Sequence, residues 1–202
     1  AEDNAFNRIN YCINELKHKE LLCDDQIQFD ILVLMHLIGD IHQPLHVGYG
    51  SDKGGNTVPI VYDDTLKTNL HRVWDESLVD QPSVTLENIL AIGKSLSPSE
   101  MVTVKDLKVQ DWMNESRALL DTAYAIKSNR LGATYAKPRT VIVEKRLLYA
   151  GMSLAAVFEK LFASESTVVP QPLENSITAA DAKHYYGKEV LVCSKVYGVK
   201  KF

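Results

Sequence analysis

The sequence has few cysteines, no long hydrophobic run and no excess of positive charge. Its three cysteines, Cys12, Cys23 and Cys193, are too few for a disulfide framework, and their pairing is left open. The apolar run from Leu147 to Phe158 is far shorter than the roughly 20 residues of a membrane-spanning helix. With 22 basic and 26 acidic residues, the net charge of −4 argues against nucleic-acid binding by charge alone.

The apolar residues recur mainly at helical intervals, and the overall composition is typical of a globular protein. Phe6, Ile9 and Ile13 recur at three- and four-residue steps, which predicts a helix over residues 4–17. The segment Phe29 to His42 is apolar on nearly every side, which is typical of a buried helix, and Pro44 ends it. Further helices are predicted at 70–78, 85–94, 112–127 and 141–162. The fold class is therefore all-α, with a loop at 48–69 that holds a short strand pair near residues 57–62.

The composition changes after residue 163, which predicts a division of the chain. Residues 1–163 form the helical domain, and residues 164–176, rich in Ser and Pro, form a linker. The tail, 177–202, resembles the start of a small OB-like module, although it contains too few strands to close a barrel. We expect the helical domain to hold the chemistry.

Histidine and aspartate residues recur at helical spacing in two places. His36 and Asp40 lie four residues apart, as do His71 and Asp75, so each pair shares one helix face. His46 lies between the two pairs. Imidazole and carboxylate are a zinc-type ligand set, and both are costly to bury unpaired. Structural ion pairs with no metal remain an alternative at this point.

Two nearby polar residues are more ambiguous than these five. His42 lies off the face shared by His36 and Asp40, so we expect it either to support a ligand from outside the site or to be exposed. Asn56 follows two glycines, where it could form a turn or reach a ligand. Neither residue identifies a site by itself.

Three motifs taken together point to a known family. HLIGDIHQPLH (36–46), GGN (54–56) and NLHRVWD (69–75) resemble the zinc-dependent S1/P1 nucleases of the phospholipase C/P1 nuclease superfamily. The resemblance covers roughly residues 4–163 and implies a multi-helix fold with three zinc ions. It also implies a secreted or periplasmic enzyme that cleaves single-stranded DNA and RNA to 5′-phosphorylated products, often with 3′-nucleotidase activity.

The resemblance also implies a role for each motif residue. His36 would bind one zinc ion of a close pair, and Asp40 would bridge that pair, with metal-bound hydroxide as the nucleophile. The third zinc ion would be held by a separate set of residues, namely His46, His71 and Asp75. Asn56 would line the site and contact the substrate. These assignments are expectations for the structure.

The sequence departs from the family pattern at its start, and this departure keeps other interpretations open. Family members carry further zinc ligands upstream of the position that matches Ala1, so we expect a family member without its N-terminal part. A zinc phospholipase C-type phosphodiesterase is one alternative, although that family usually has Glu where this chain has Asp75. The other alternative is an inactive, metal-poor fragment or binding module.

Overall fold

The computed structural model describes residues 4–163 and the strands Ser176–Thr178 and Leu191–Cys193. The chain separates into two compact units, of which one comprises Ala1–Met35 with Phe158–Phe202 and the other His36–Val157. Most described residues are helical, as the sequence predicts. The predicted boundaries of a domain at 1–163, a linker and a tail stay a prediction.

The first unit begins with helix α1, Ala5–Leu16, whose N-terminal amides are capped by Asn4. After a short 3₁₀ turn at Lys19–Leu21 comes α2, Asp24–His42, which extends into the second unit. It starts five residues before the predicted position because Asp24 and Asp25 favour a helix N-terminus electrostatically. Strands β4, Ser176–Thr178, and β5, Leu191–Cys193, pair in parallel.

The predicted burial of α2 on nearly every side is wrong. One face is buried through Leu34, Ile38 and Ile41, but Phe29, Leu32 and Met35 are 48–55% exposed. Composition reported how apolar the helix is, but it could not report how many sides of the helix are covered. Within the described residues, α2 therefore presents an apolar stripe to solvent.

The second unit combines short helices with a small sheet. Strands β1, Pro59–Tyr62, and β2, Leu66–Asn69, form the predicted hairpin, and β3, Arg130–Leu131, adds to β1 in parallel. The hairpin leads directly into α3, Leu70–Arg72, which continues as a wider π-helical turn over Val73–Ser77. The remaining helices are α4, Leu86–Ser95; α5, Pro98–Lys105; α6, Val109–Arg117; α7, Leu120–Ala123; and α8, Ala133–Phe162.

Two helix predictions differ from the structure in their boundaries. The stripe predicted over 112–127 is divided into α6 and α7 near Leu119. Helix α8 starts at Ala133 rather than near Val141, although it contains Pro138. Pro138 lies in the second turn, where its missing amide removes a single hydrogen bond to a preceding carbonyl.

A buried arginine fixes the C-terminal end of α2. The Arg146 guanidinium donates to the carbonyl of His42 (3.0 Å), to Glu115 Oε2 (2.9 Å) and to Ser116 Oγ (2.6 Å). Ser116 Oγ in turn donates to the carbonyl of Ile41 at 2.6 Å. The last carbonyls of a helix have no partners inside the helix, so these contacts satisfy them and add a favourable positive charge.

The cysteines for which side-chain contacts are described carry free thiols. Cys12 is buried beside Asp30, and burial followed by that carboxylate raises the pKa of Cys12 to about 12. Cys23 is partly exposed, and the side chain of Cys193 lies outside the described residues.

Among the residues that the structure describes, no helix has the length and hydropathy needed to span a membrane.

Candidate metal centre

His46, His71 and Asp75 come together after α2 and at the end of the hairpin. Asp75 Oδ1 accepts a hydrogen bond from His46 Nε2 at 3.0 Å, and Asp75 Oδ2 lies 3.2 Å from His71 Nε2. The two imidazole rings stack with their centroids 4.8 Å apart and their planes 8° apart. One donor atom from each residue lies within 4.8 Å of the other two. Donors that share one zinc ion at about 2 Å lie no more than about 4 Å apart, so a small contraction suffices.

The orientation of His71 tests whether these residues fit a metal ion. His71 Nδ1 donates to the carbonyl of Gly54 at 2.8 Å, so a neutral ring carries its lone pair on Nε2. That lone pair faces the Asp75 carboxylate at 3.2 Å, an arrangement that is repulsive unless a proton or a cation lies between them. A backbone carbonyl that orients a ligating histidine is typical of zinc sites. The geometry therefore fits a divalent metal ion.

The two glycines of the GGN motif place that carbonyl. Gly54 has φ of +62° and Gly55 of +82°, a region that side chains disfavour. A Cβ atom on Gly54 would clash with the carbonyl oxygen of Leu45. The loop can therefore approach His71 only with glycine at this position. The sequence identified the motif but gave no indication that its role is to orient a histidine.

Gln43 also supports the centre, and the sequence analysis missed it. Its Nε2 donates to Asp75 Oδ1 at 2.7 Å, and its Oε1 accepts from the amide of Leu45 at the start of the 3₁₀ helix Pro44–Val47. That short helix carries His46. One amide side chain therefore fixes the relative positions of two candidate ligands. The available signal was a polar residue directly before Pro44, a position typical of helix caps.

Asp75 lies on the π-helical turn, where the amide of Leu78 donates to the carbonyl of Val73 at 2.9 Å, five residues earlier. Such turns occur frequently at functional sites. The neighbouring Trp74 is buried, and its indole nitrogen donates to Tyr135 Oη at 2.9 Å. This anchor fixes the turn from its inner side while Asp75 stays at the surface.

His36 and Asp40 form the second predicted ligand pair, with a more open geometry. His36 Nε2 lies 3.3 Å from Asp40 Oδ2, but 73% of the His36 side chain is exposed. Asp40 Oδ1 lies 3.4 Å from His46 Nδ1, so Asp40 connects the pair to the three-residue cluster. The structure brings all five predicted ligands into one chain of contacts. Their individual metal-binding roles stay a prediction.

The charges around the cluster favour its ionised form. The hydrogen bond to Asp75 raises the pKa of His46, although burial opposes this effect. Burial alone would raise the pKa of Asp75, but hydrogen bonds from His46 and Gln43 outweigh it and lower that pKa. A carboxylate that stays ionised beside two imidazoles is suited to bind a divalent cation.

His42 has a different role from its neighbours. It is buried, its Nδ1 donates to the carbonyl of Ile38 at 2.7 Å, and its ring packs on Trp112. Burial and the nearby Arg146 lower the pKa of His42 to about 4, so the ring is neutral near pH 7. The expectation that it is exposed is wrong, and it has no hydrogen bond to a predicted ligand among the described residues.

Asn56 lies at the end of the glycine loop and is exposed. Its side-chain amide donates to the carbonyl of Lys53 at 2.9 Å, the arrangement expected of a turn residue. This contact neither requires nor prevents a role in substrate binding. Its predicted contact with substrate stays a prediction.

Comparison with known proteins agrees with the family resemblance of these motifs. The model of the S1/P1 Nuclease family matches residues 1–163. Endonuclease 4 of Arabidopsis thaliana is 37% identical over 184 residues, which cover 79% of this chain and 59% of that protein. Endonuclease 2 of the same plant is 32% identical over 174 residues, 76% of this chain and 59% of its own length. Nuclease S1 of Aspergillus oryzae (strain ATCC 42149 / RIB 40) is 44% identical over 48 residues, 24% of this chain and 16% of that protein.

The chain combines a helical fold, clustered His and Asp side chains and a glycine loop, and the family model matches most of its length. The chain belongs to the S1/P1 nuclease family. It spans about three fifths of the length of the plant endonucleases that it matches.

Proposed function

We propose that this chain carries a zinc site of a phosphodiesterase that cleaves single-stranded DNA or RNA. The observation that carries the proposal is the cluster of His46, His71 and Asp75, in which Gly54 orients His71 and Gln43 orients Asp75. Membership of a nuclease family supports the substrate class. A secreted or periplasmic location and 3′-nucleotidase activity are part of the same proposal and rest on the family alone.

The residues of the cluster define what the chain contributes to the reaction. Two neutral imidazoles and one carboxylate leave a bound divalent cation with a net positive charge, which attracts a phosphate group. When bound, zinc polarises a phosphate oxygen and lowers the pKa of a water ligand. With three protein ligands, the site keeps a position for substrate. Asp40, beside His46, presents a second carboxylate to the same region.

The number of zinc ions follows from the number of donors. Within the described residues, one set of three donors converges, while His36 and Asp40 supply two donors to a more open pair. We infer that further donors complete that pair in an active enzyme with three zinc ions. This chain alone is expected to bind one zinc ion tightly.

The first test measures zinc per chain by elemental analysis after purification without chelator. About one zinc ion is expected, together with its loss in H71A and its retention in H18A, which removes an exposed histidine outside the cluster. A chain that binds no zinc would contradict the proposed site. A content near three would mean that the chain holds further zinc donors besides His36, Asp40 and the three residues of the cluster.

The second test measures activity on circular single-stranded DNA, with the zinc-loaded chain and with a longer version that restores the family's upstream ligands. We expect the longer version to nick this DNA and leave 5′-phosphorylated ends, an activity that is lost on addition of EDTA and in H71A. If the longer version loads zinc and leaves the DNA intact, the proposed activity is wrong. Release of phosphocholine from a soluble analogue would instead indicate the phospholipase C-type alternative.

A further inference from the structure

Seven aromatic residues lie between His36 and Val157, and their exposure separates one of them from the rest. Tyr49 is 43% exposed. The other six are buried or half-buried: Tyr62, Trp74, Trp112, Tyr124, Tyr135 and Tyr149. An exposed aromatic ring leaves apolar surface in contact with water, whereas folding covers most of this surface on the other six rings. Exposure alone is common, so the surroundings of Tyr49 decide its meaning.

Tyr49 lies on the loop that orients the metal ligand His71. The carbonyl of Tyr49 accepts a hydrogen bond from the amide of Gly54 at 2.8 Å. The carbonyl of Gly54 accepts from His71 Nδ1, also at 2.8 Å. Two hydrogen bonds therefore connect the backbone of Tyr49 to a ring of the candidate metal centre. A substrate whose phosphate lies at that centre has its neighbouring nucleotides near this loop.

The ring of Tyr49 is supported from behind by a second tyrosine. Its centroid lies 5.3 Å from that of Tyr124, with 54° between the planes. The hydroxyl of Tyr124 donates to Asp52 Oδ2 at 2.7 Å, while Asp52 Oδ1 accepts from the amide of Gly55 at 3.0 Å. Burial and the Asp52 carboxylate raise the pKa of Tyr124, so its hydroxyl stays protonated and keeps donating. The support of Tyr49 is thus tied to the glycine loop.

Resting on the function proposed above, we propose that Tyr49 is a base-stacking subsite for a nucleotide next to the phosphate at the metal centre. A held aromatic ring suits this ligand because every nucleobase has a flat π-face, so stacking binds single strands without reading their sequence. The bases of a duplex are already stacked on one another. The subsite therefore favours a single strand.

The test measures binding of the full chain to a fluorescently labelled octadeoxyadenylate in EDTA, by anisotropy. A second oligonucleotide of the same length has abasic sites and the same backbone charge. Removing one stacking ring is worth roughly a fivefold or larger loss of affinity. We expect this loss in Y49A and Y49L with the base-containing strand, little change with the abasic strand, and parental affinity in Y49F.

The control is Y11A, which removes a tyrosine of similar exposure (51% against 43%) from the other unit and should bind like the parent chain. Y49L keeps an apolar side chain against Tyr124, so it separates stacking from loop packing, and thermal melting verifies that each variant is folded. Equal affinity of Y49A and the parent, or an equal loss on the abasic strand, would overturn the subsite.

Zinc-dependent cleavage of the same strand by the longer version of the chain, assayed in parallel, separates this inference from the proposed function. If the strand is cleaved and Y49A does not change binding, the proposed nuclease function is retained and the subsite is wrong. A Y49A binding defect without any zinc-dependent cleavage keeps the stacking and removes the proposed function. A parent chain that binds neither strand contradicts the subsite, and the cleavage assay then decides the proposed function separately.

Discussion

His46, His71 and Asp75 form a closed cluster, whereas His36 and Asp40 contact each other and leave most of His36 in water. Both groups have the same chemistry and the same spacing of four residues within a pair. The difference lies in the support around them, because a backbone carbonyl and an amide side chain fix the closed cluster. Residue type and spacing thus identify candidate ligands, and the hydrogen bonds that support them decide which candidates are held in a geometry that can bind a metal ion.

The largest effect is expected from removing a ligand of the closed cluster. H71A leaves two donors of three, so the zinc affinity should fall by more than about 100-fold, beyond the losses seen for supporting residues alone. Competition with a chromophoric chelator measures the affinity, with H18A as the matched control. Tight zinc binding by H71A would show that the closed cluster does not depend on His71.

The next largest effect is expected from G54A, which changes the support and leaves every ligand in place. The positive φ alone costs about 1–3 kcal/mol for a side-chain residue, and the contact with the carbonyl of Leu45 adds to it. We expect lower stability in chemical denaturation and weaker zinc binding together. G50A, at a glycine with open space around its Cβ position, is the control. A G54A chain with parental stability and affinity would refute the role of the loop.

Gln43 tests the support on the other side of the cluster. Q43L keeps the size of the side chain but removes the donor to Asp75, so the zinc affinity should fall about 10- to 100-fold. The visible spectrum of the Co²⁺-loaded chain should shift as well, because the geometry of the ligands changes. Q110L, which removes an exposed glutamine that contacts Asn114, should match the parent in both measurements. An unchanged spectrum and affinity in Q43L would mean that Asp75 needs no such support.

The smallest effect is expected from H36A. His36 is mostly exposed and, among the described residues, contacts the cluster only through Asp40, so the single tight zinc site should keep its affinity in this chain. The sharper comparison uses a longer version of the chain that carries the upstream ligands implied by the family resemblance, where H36A should lower the number of bound zinc ions. A strong loss of the single site in the present chain would place His36 within the cluster.

Much of the fold could be predicted from the sequence, since it follows from local spacing, and the same spacing selected the five candidate ligands, whose metal-binding roles stay a prediction. Helix α1, the hairpin and the start of α4 follow from periodicity and turn chemistry. The pairing of β3 with β1 could not be predicted, because it joins residues about 70 positions apart through only two residue pairs. The same limit applies to Gln43 and Gly54, whose roles depend on long-range contacts with Asp75 and His71.

The use of a main-chain carbonyl to orient His71 has a consequence for mutational scanning. The carbonyl of Gly54 belongs to the backbone, so no side-chain substitution deletes it directly. A scan would record a sensitive glycine and tolerance at its exposed neighbour Lys53. Such a profile is usually assigned to loop shape alone. At this loop it would report the supply of an acceptor to a candidate metal ligand, and replacing the amide bond by an ester next to Gly54, which weakens that carbonyl, would reveal it.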